Sequence, residues 1–389
     1  MVAAASVRVL TSFFCLTLLA SAQAVLLYPA EKTSLPTTID GNSPSFWSEK
    51  GFHLFTSTGD PEMISVAPGL DGPWDSQHVD VSAQNHLPLW IESAWRDSDG
   101  TIFGWYHHEP AGVCGNGLTA PKIGAVVSYD GGKTITDLGI VLESGLTPDC
   151  SSENGFFAGG HGDFSVVLGP EGKYFFFFFT NYIGGDDEQG VAVARLAFAD
   201  RFHPAGAVYK YQNGKWDEPG IGGRMTAVFP AATNWQQSDT DSFWGPSVHW
   251  NTELKQYVML LNRACCDVGW PQYGVYMSFA QDLNDPSTWT TPFRILEGQD
   301  IEKRPGFYPQ VVGLGEGETD SLAGERARLF VHGESNWELV FVAGGKGSDA
   351  TVPSECTGSP RVPSKEGTPG SKPVACAVKT FQIPPRQSR

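Results

Sequence analysis

The sequence predicts an all-β fold, a five-bladed β-propeller, on three observations. Short strand-like runs fill residues 38–343, no amphipathic helix interrupts them, and one five-residue pattern recurs five times. The copies are Ser43-Pro44-Ser45-Phe46-Trp47, Ile91-Glu92-Ser93-Ala94-Trp95, Asp163-Phe164-Ser165-Val166-Val167, Gly245-Pro246-Ser247-Val248-His249 and Tyr308-Pro309-Gln310-Val311-Val312. They are spaced by 48, 72, 82 and 63 residues. Strand parity puts the Ser/Gln set on one face and Phe46, Ala94, Val166, Val248 and Val311 on the other. Five such strands read as innermost blade strands, polar towards a wet channel and apolar into the blades. The competing reading is a chance pattern in a β-sandwich.

In chain order, residues 1–24 read as an export signal: Arg8, an apolar stretch over 9–20, and the small-x-small site Ala22-Gln23-Ala24. A buried N-terminal helix is the alternative. Residues 25–37 read as a lead-in. Each inner strand is followed by a second strand, at 52–56, 102–107, 174–180, 257–261 and 328–332, behind a turn or loop such as Ser98-Asp99-Gly100. The run Phe175 to Phe179 is continuous rather than alternating, as in a strand buried on both faces. Third strands are expected at 124–128, 191–196 and 273–279, with Leu138, Trp216 and Trp289 near the fourth. Ser128-Tyr129-Asp130-Gly131-Gly132-Lys133-Thr134 matches the Asp-box turn of sialidase-type propellers, a structural device on the outside of a blade. Residues 344–389 turn to Gly, Ser, Pro and Lys, with a last short strand at 377–383 placed to close the ring.

The formal charge of −17 argues against nucleic acid and leaves a neutral ligand as the better fit. No apolar span of about 20 residues follows the signal, so no membrane-spanning helix is expected. Beyond residue 24 six cysteines remain, which suggests disulfides and an oxidising compartment, secreted or periplasmic. The expected pairs are Cys114 with Cys150, Cys356 with Cys376 and, by elimination, Cys265 with its neighbour Cys266. Cys/His metal-site spacing is absent, so no cofactor is expected; a channel metal ion near His161 or His249 is the alternative.

A propeller gathers the starts of inner strands and the ends of second strands at one mouth. Inner-strand starts supply Asp40, Asn42, Trp90, His161, Asp163, Trp244 and Tyr308. Second-strand ends supply His107, His108, Glu109, Asn181, Tyr182, Arg263, His332 and Glu334, and parity points His249 at the channel. Flat rings stack on sugar C–H faces, and two carboxylates across a cleft are what glycoside hydrolysis needs. The five-strand pattern and Asp163-Phe164-Ser165-Val166 resemble the five-bladed glycosidases of glycoside hydrolase family 43 and relatives such as family 117. In that family an Asp base opens blade one, a pKa-tuning Asp opens blade three and a Glu acid opens blade four. Asp163 matches the blade-three Asp. In blade one Ser43 holds the place, with Asp40 three residues earlier, and in blade four Trp244-Gly245-Pro246 stands for Glu-Gly-Pro.

The resemblance implies a secreted glycoside hydrolase acting on polysaccharide or oligosaccharide fragments. A non-catalytic carbohydrate-binding propeller and a polysaccharide lyase using His and Tyr are the alternatives. Asp163 is expected ionised and Glu109 protonated by apolar neighbours, with Asp40 and Glu334 as a second pair. Turn capping, a solvated strand end and surface ion pairing are their structural alternatives. Trp90, Trp244 and Tyr308 are sugar platforms or packing. Arg263 grips an anionic group or pairs with Asp267.

Overall fold

The computed structural model describes residues 23–56, 62–82, 84–301, 307–344 and 378–383. These residues form five antiparallel-based sheets arranged as the five blades of a propeller. Blade 1 runs outward from Ser45–Ser48 through Gly51–Thr56 and Met63–Ala67 to Asp75–His78. Blade 2 runs from Leu89–Arg96 through Ile102–His108 and Lys122–Ser128 to Thr134–Leu142. Blade 3 runs from His161–Leu168 through Tyr174–Asn181, Gly190–Ala197 and Val208–Gln212 to Lys215–Pro219. Blade 4 comprises Ser242–Asn251, Gln256–Ala264, Gln272–Ala280 and Phe293–Glu297.

Blade 5 is composite. Pro309–Gly313, Arg326–Val331 and Glu334–Val342 are joined by Ala24–Ser34 and then by Lys379–Gln382. The segment expected as a lead-in is thus the blade's fourth strand, with Val25 opposite Phe341 and Leu27 opposite Leu339. Its apolar start, Ala24 to Tyr28, runs on from the signal-like stretch and so carries no separate sequence mark. The N-terminal strand closes the ring, and the C-terminal strand adds outside it.

Alternation explains the phenylalanine run. Phe175, Phe177 and Phe179 pack with Phe103 and Trp105 of blade 2, while Phe176 and Phe178 pack with Met259 and Leu261 of blade 4. The strand is therefore core on both faces, worth roughly 1.5–3 kcal/mol per buried side chain.

The Ser/Gln face is drier than a water-lined channel requires. Ser93 Oγ accepts from Val166 N at 2.8 Å and Ser165 Oγ from Val248 N at 3.1 Å. Gln310 donates to Ser43 O at 3.0 Å and accepts from Ser43 N at 2.6 Å, joining blades 5 and 1. Ser45 Oγ donates to Asp320 at 2.7 Å. Near the axis the inner strands converge, so a short polar side chain reaches the next blade's backbone.

The Asp box folds on itself: Asp130 Oδ1 accepts from Lys133 N and Thr134 N, and Ser128 Oγ accepts from Gly132 N. Cys114 is bonded to Cys150 and Cys265 to Cys266. Cys356 and Cys376 lie outside the described residues, as do residues 1–22 of the signal-like segment.

Candidate active site

Two β-bulges set the chemistry of the mouth. The inner strand of blade 2 pairs Ile91 with Tyr106 and Ser93 with Trp105, leaving Glu92 unpaired between them. In blade 3, Gly162 and Phe164 pair with Thr180 and Phe179, leaving out Asp163, whose φ is +42°. A bulge re-aims its side chain, and a left-handed backbone at a non-glycine residue persists only where its surroundings hold it. Tyr308 (φ +54°) and His332 (φ +51°) take the same conformation beside them.

Glu92 and Asp163 converge on His107, which the second strand of blade 2 brings to its end. One ligand-type atom from each of the three lies within 4.8 Å of the others, and all three residues are buried. His107 Nδ1 lies 3.2 Å from Glu92 Oε1, and Nε2 lies 3.4 Å from Glu109 Oε1. Glu92 Oε2 accepts from Phe164 N at 2.7 Å, tying blade 2 to blade 3. Tyr182 donates its hydroxyl to Asp163 Oδ2. Asp40 stands exposed on the rim, 3.4 Å from the Tyr308 hydroxyl.

Burial works against charge throughout. It raises Asp163 to about 7, with His107 and the Tyr182 hydroxyl pulling it down and Glu92 and Glu109 pushing it up. Glu92 is raised by burial, opposed by His107. Burial also opposes charge on His107, but its bonds to Glu109 and Glu92 win and hold its pKa well above the ordinary value. Asp40 is raised by its surroundings and by the Glu109 charge. Asp163 therefore differs from the ionised carboxylate expected of it.

The structure brings together Asp40, His107, Glu109, Asp163, Tyr308 and His332. Trp90 stands with its ring 5.5 Å from His107, and Trp244 packs against Tyr308 and Trp270. Glu334 reaches Lys32 on the N-terminal strand at 3.3 Å. Arg263 forms a two-bonded pair with Asp241, at 2.8 and 2.9 Å, rather than with Asp267. Asn42 donates to Phe164 O and Pro246 O across the channel, and Asn181 donates to Ile183 O and Glu188 O in its own loop. His108 faces Pro88 O at 3.1 Å and His86.

His161 Nε2 lies 3.0 Å from the Lys210 ammonium, and His249 lies against the Phe341 ring, so neither is grouped with a carboxylate that would help hold a cation. Glu92, His107 and Asp163 are close enough to hold one, although carboxylates already face both nitrogens of the imidazole. Asp241, Cys265 and Cys266 also group, but both sulfurs are in the disulfide. Glu92 escaped the sequence reading of the site. Its signal was a charged residue at a repeat position that elsewhere holds Pro44, Phe164, Pro246 and Pro309.

No family model matches the chain, and no curated protein matches it in sequence. Among solved structures it is similar to an endo-arabinase from Bacteroides thetaiotaomicron, 10% identical, over 79% of this chain and 94% of that one (TM-score 0.48). A thermostable family-43 glycoside hydrolase is 12% identical over 79% and 91% (TM-score 0.46). An exo-β-1,3-galactanase from Phanerochaete chrysosporium is 12% identical over 82% and 64% (TM-score 0.45). At this distance the likeness assigns neither residues nor substrate.

Proposed function

We propose that the chain is an exported glycoside hydrolase acting on polysaccharide or oligosaccharide fragments at this mouth. The observation that carries the reading is the gathering of Asp40, Glu92, Glu109 and Asp163 around one buried imidazole beside aromatic rings. Asp40 and Glu109 are the accessible members, Glu109 with its side chain 32% exposed. Asp40, an exposed residue whose pKa is raised by the crowding of its carboxyl at the mouth and by the Glu109 charge, delivers a proton to the glycosidic oxygen. Glu109, with an oxygen 3.4 Å from His107 Nε2, takes a proton from water as the water oxygen bonds the anomeric carbon and the C–O bond breaks. Asp163 and Glu92 are too buried to act on a sugar directly; through His107 they tune the outer pair. The two described disulfides support an oxidising compartment.

A second reading, carbohydrate binding without turnover, is favoured by blade 4, where Trp244 and Gly245 supply no carboxyl group. Chromogenic glycosides and oligosaccharides with product analysis separate the two. Hydrolysis predicts products, and at least about a hundredfold slower turnover for Asp40→Asn and for Glu109→Gln, with ligand affinity changed far less. Full activity in both variants would overturn the assignment; sugar bound without products would leave a binding protein.

A further inference from the structure

Phe156 and Phe157 end the turn that leads into blade 3, and one ring goes inward while the other stays in solvent. Phe157 is buried, its ring 4.3 Å from that of Tyr182, the donor to Asp163. Phe156 is 52% exposed, with its ring 5.0 Å from that of Trp270. From there ring contacts continue to the site: Trp270 to Trp244 at 5.4 Å, Trp244 to Tyr308 at 5.8 Å, and Tyr308 beside Asp40. On its other side the turn is joined to the loop that follows Glu109. Thr119 N donates to Phe156 O at 3.0 Å, Ala158 N to Thr119 O at 2.7 Å, and the Thr119 hydroxyl to Pro110 O at 3.2 Å. Phe156 therefore sits on the rim between the loop after Glu109 and the aromatic wall of blade 4.

A lone exposed ring needs no explanation, but this one is held rigid. Buried Asn154 accepts from the N–H groups of Phe156 and Phe157, at 2.8 Å each, and donates to Phe157 O and Trp235 O, at 2.7 and 2.5 Å. The Cys114–Cys150 disulfide ties the turn to the loop after Glu109, and Asn116 adds a bond to Cys150 O at 3.0 Å. A ring fixed before binding loses little freedom on stacking, which is what a sugar platform needs. Charge selects the occupant. Residues 109–120, 149–160 and 265–271 carry Glu109, Asp149, Glu153 and Asp267 and no Lys or Arg. An anionic chain is repelled there, and a neutral one is not.

We propose that Phe156 is an outlying sugar subsite: its free face stacks on one ring of a neutral oligosaccharide whose further units reach the mouth at Asp40 and Glu109. Longer chains are then the preferred ligands. The proposal rests on the reading of the mouth as a sugar site, with or without turnover.

Calorimetry in a Glu109→Gln background, with neutral di- to pentasaccharides of arabinose, xylose, galactose and glucose, tests it. In at least one series the pentasaccharide should bind more tightly than the disaccharide. Phe156→Ala should cut that gain about tenfold, and Phe156→Tyr should keep it. Oligogalacturonate of the same length should bind more weakly than the neutral chain, by a margin that narrows with added salt. Phe156 is exposed, so its variants should fold, which circular dichroism and thermal unfolding check. The proposal is overturned if no series gains affinity with length, if Phe156→Ala keeps the gain, or if oligogalacturonate binds as tightly as the neutral chains. Product analysis with otherwise wild-type protein separates this from the hydrolase reading. Absent products with the gain intact would remove the hydrolase and leave the subsite, whereas hydrolysis equal in Phe156→Ala and wild type at every chain length would remove the subsite alone.

Discussion

Asp163→Asn should make the protein more stable at pH 8 than wild type, and the gain should vanish in acid. Burial lifts the Asp163 carboxyl from an ordinary 3.8 to about 7. Its folded form therefore binds protons better than the unfolded chain between those values, so its contribution to stability falls as pH rises through that window and levels off above it. At about 1.4 kcal/mol per pH unit, the displacement corresponds to roughly 4 kcal/mol lost at pH 8. The charge on His107 is already included, since it pulls the pKa down. Asparagine has the shape and donor of the neutral acid and can still accept from Tyr182, so it removes the ionisation and keeps the bond. Thermal or urea unfolding of both proteins at pH 4.5 and 8 reads the difference, with shared pH effects of other groups cancelling. The expected result is near-equal stability at pH 4.5 and a gain of several kcal/mol for the variant at pH 8. A variant less stable than wild type at pH 8 would refute this, because it would mean an ionised Asp163 held by His107.

Tyr182→Phe removes a donor that lowers the Asp163 pKa, so that pKa should climb above 7, followed by carboxyl carbon NMR across a pH series. Ser93→Ala and Ser165→Ala each strand a buried backbone N–H of the next blade, and each should cost about 1–3 kcal/mol in urea unfolding. Replacing Cys114 and Cys150 by serine opens a loop with a sequence separation of 36 and should cost about 4 kcal/mol, read by unfolding against the oxidised wild type.

The ring of inner strands was legible because a five-fold pattern with period-2 parity is a strong signal, and the phenylalanine run announced a strand buried on both sides. Its closure was not. The strand Ala24–Ser34 completes blade 5 far from its sequence neighbours, and pairing between the two ends of a chain leaves no local mark. At the mouth, residue types were legible and pairings were not. Asp40, His107, Glu109 and Asp163 stand together, whereas Arg263 found Asp241 and His161 found Lys210, choices fixed by which loop folds over which blade. Charge states were hidden for the same reason. Asp163 reads as an ionised strand opener in sequence, and only its burial and the Glu92 and Glu109 charges around it show why it resists ionising.

Blade 4 brings no carboxylate to the mouth and blade 2 brings two, Glu92 and Glu109. Trp244 is only 2% exposed and turns into a cluster with Trp270, Phe307 and Tyr308, so packing fills the start of the blade-4 inner strand. Beside it Gly245 has φ +55°, and a Cβ there would meet Asn262 Nδ2 at 2.5 Å and lie 3.9 Å from the Cβ of Asp163. Blade 4 therefore approaches Asp163 with bare backbone and an aromatic wall, leaving no room for an acid on that side. The acidic groups that remain reach the mouth from blades 1, 2 and 3. The bulge at Glu92 turns a carboxyl inward next to His107, and Glu109 follows one strand later on the same imidazole. A site built this way has its charged side on blades 1 to 3 and its apolar side on blade 4.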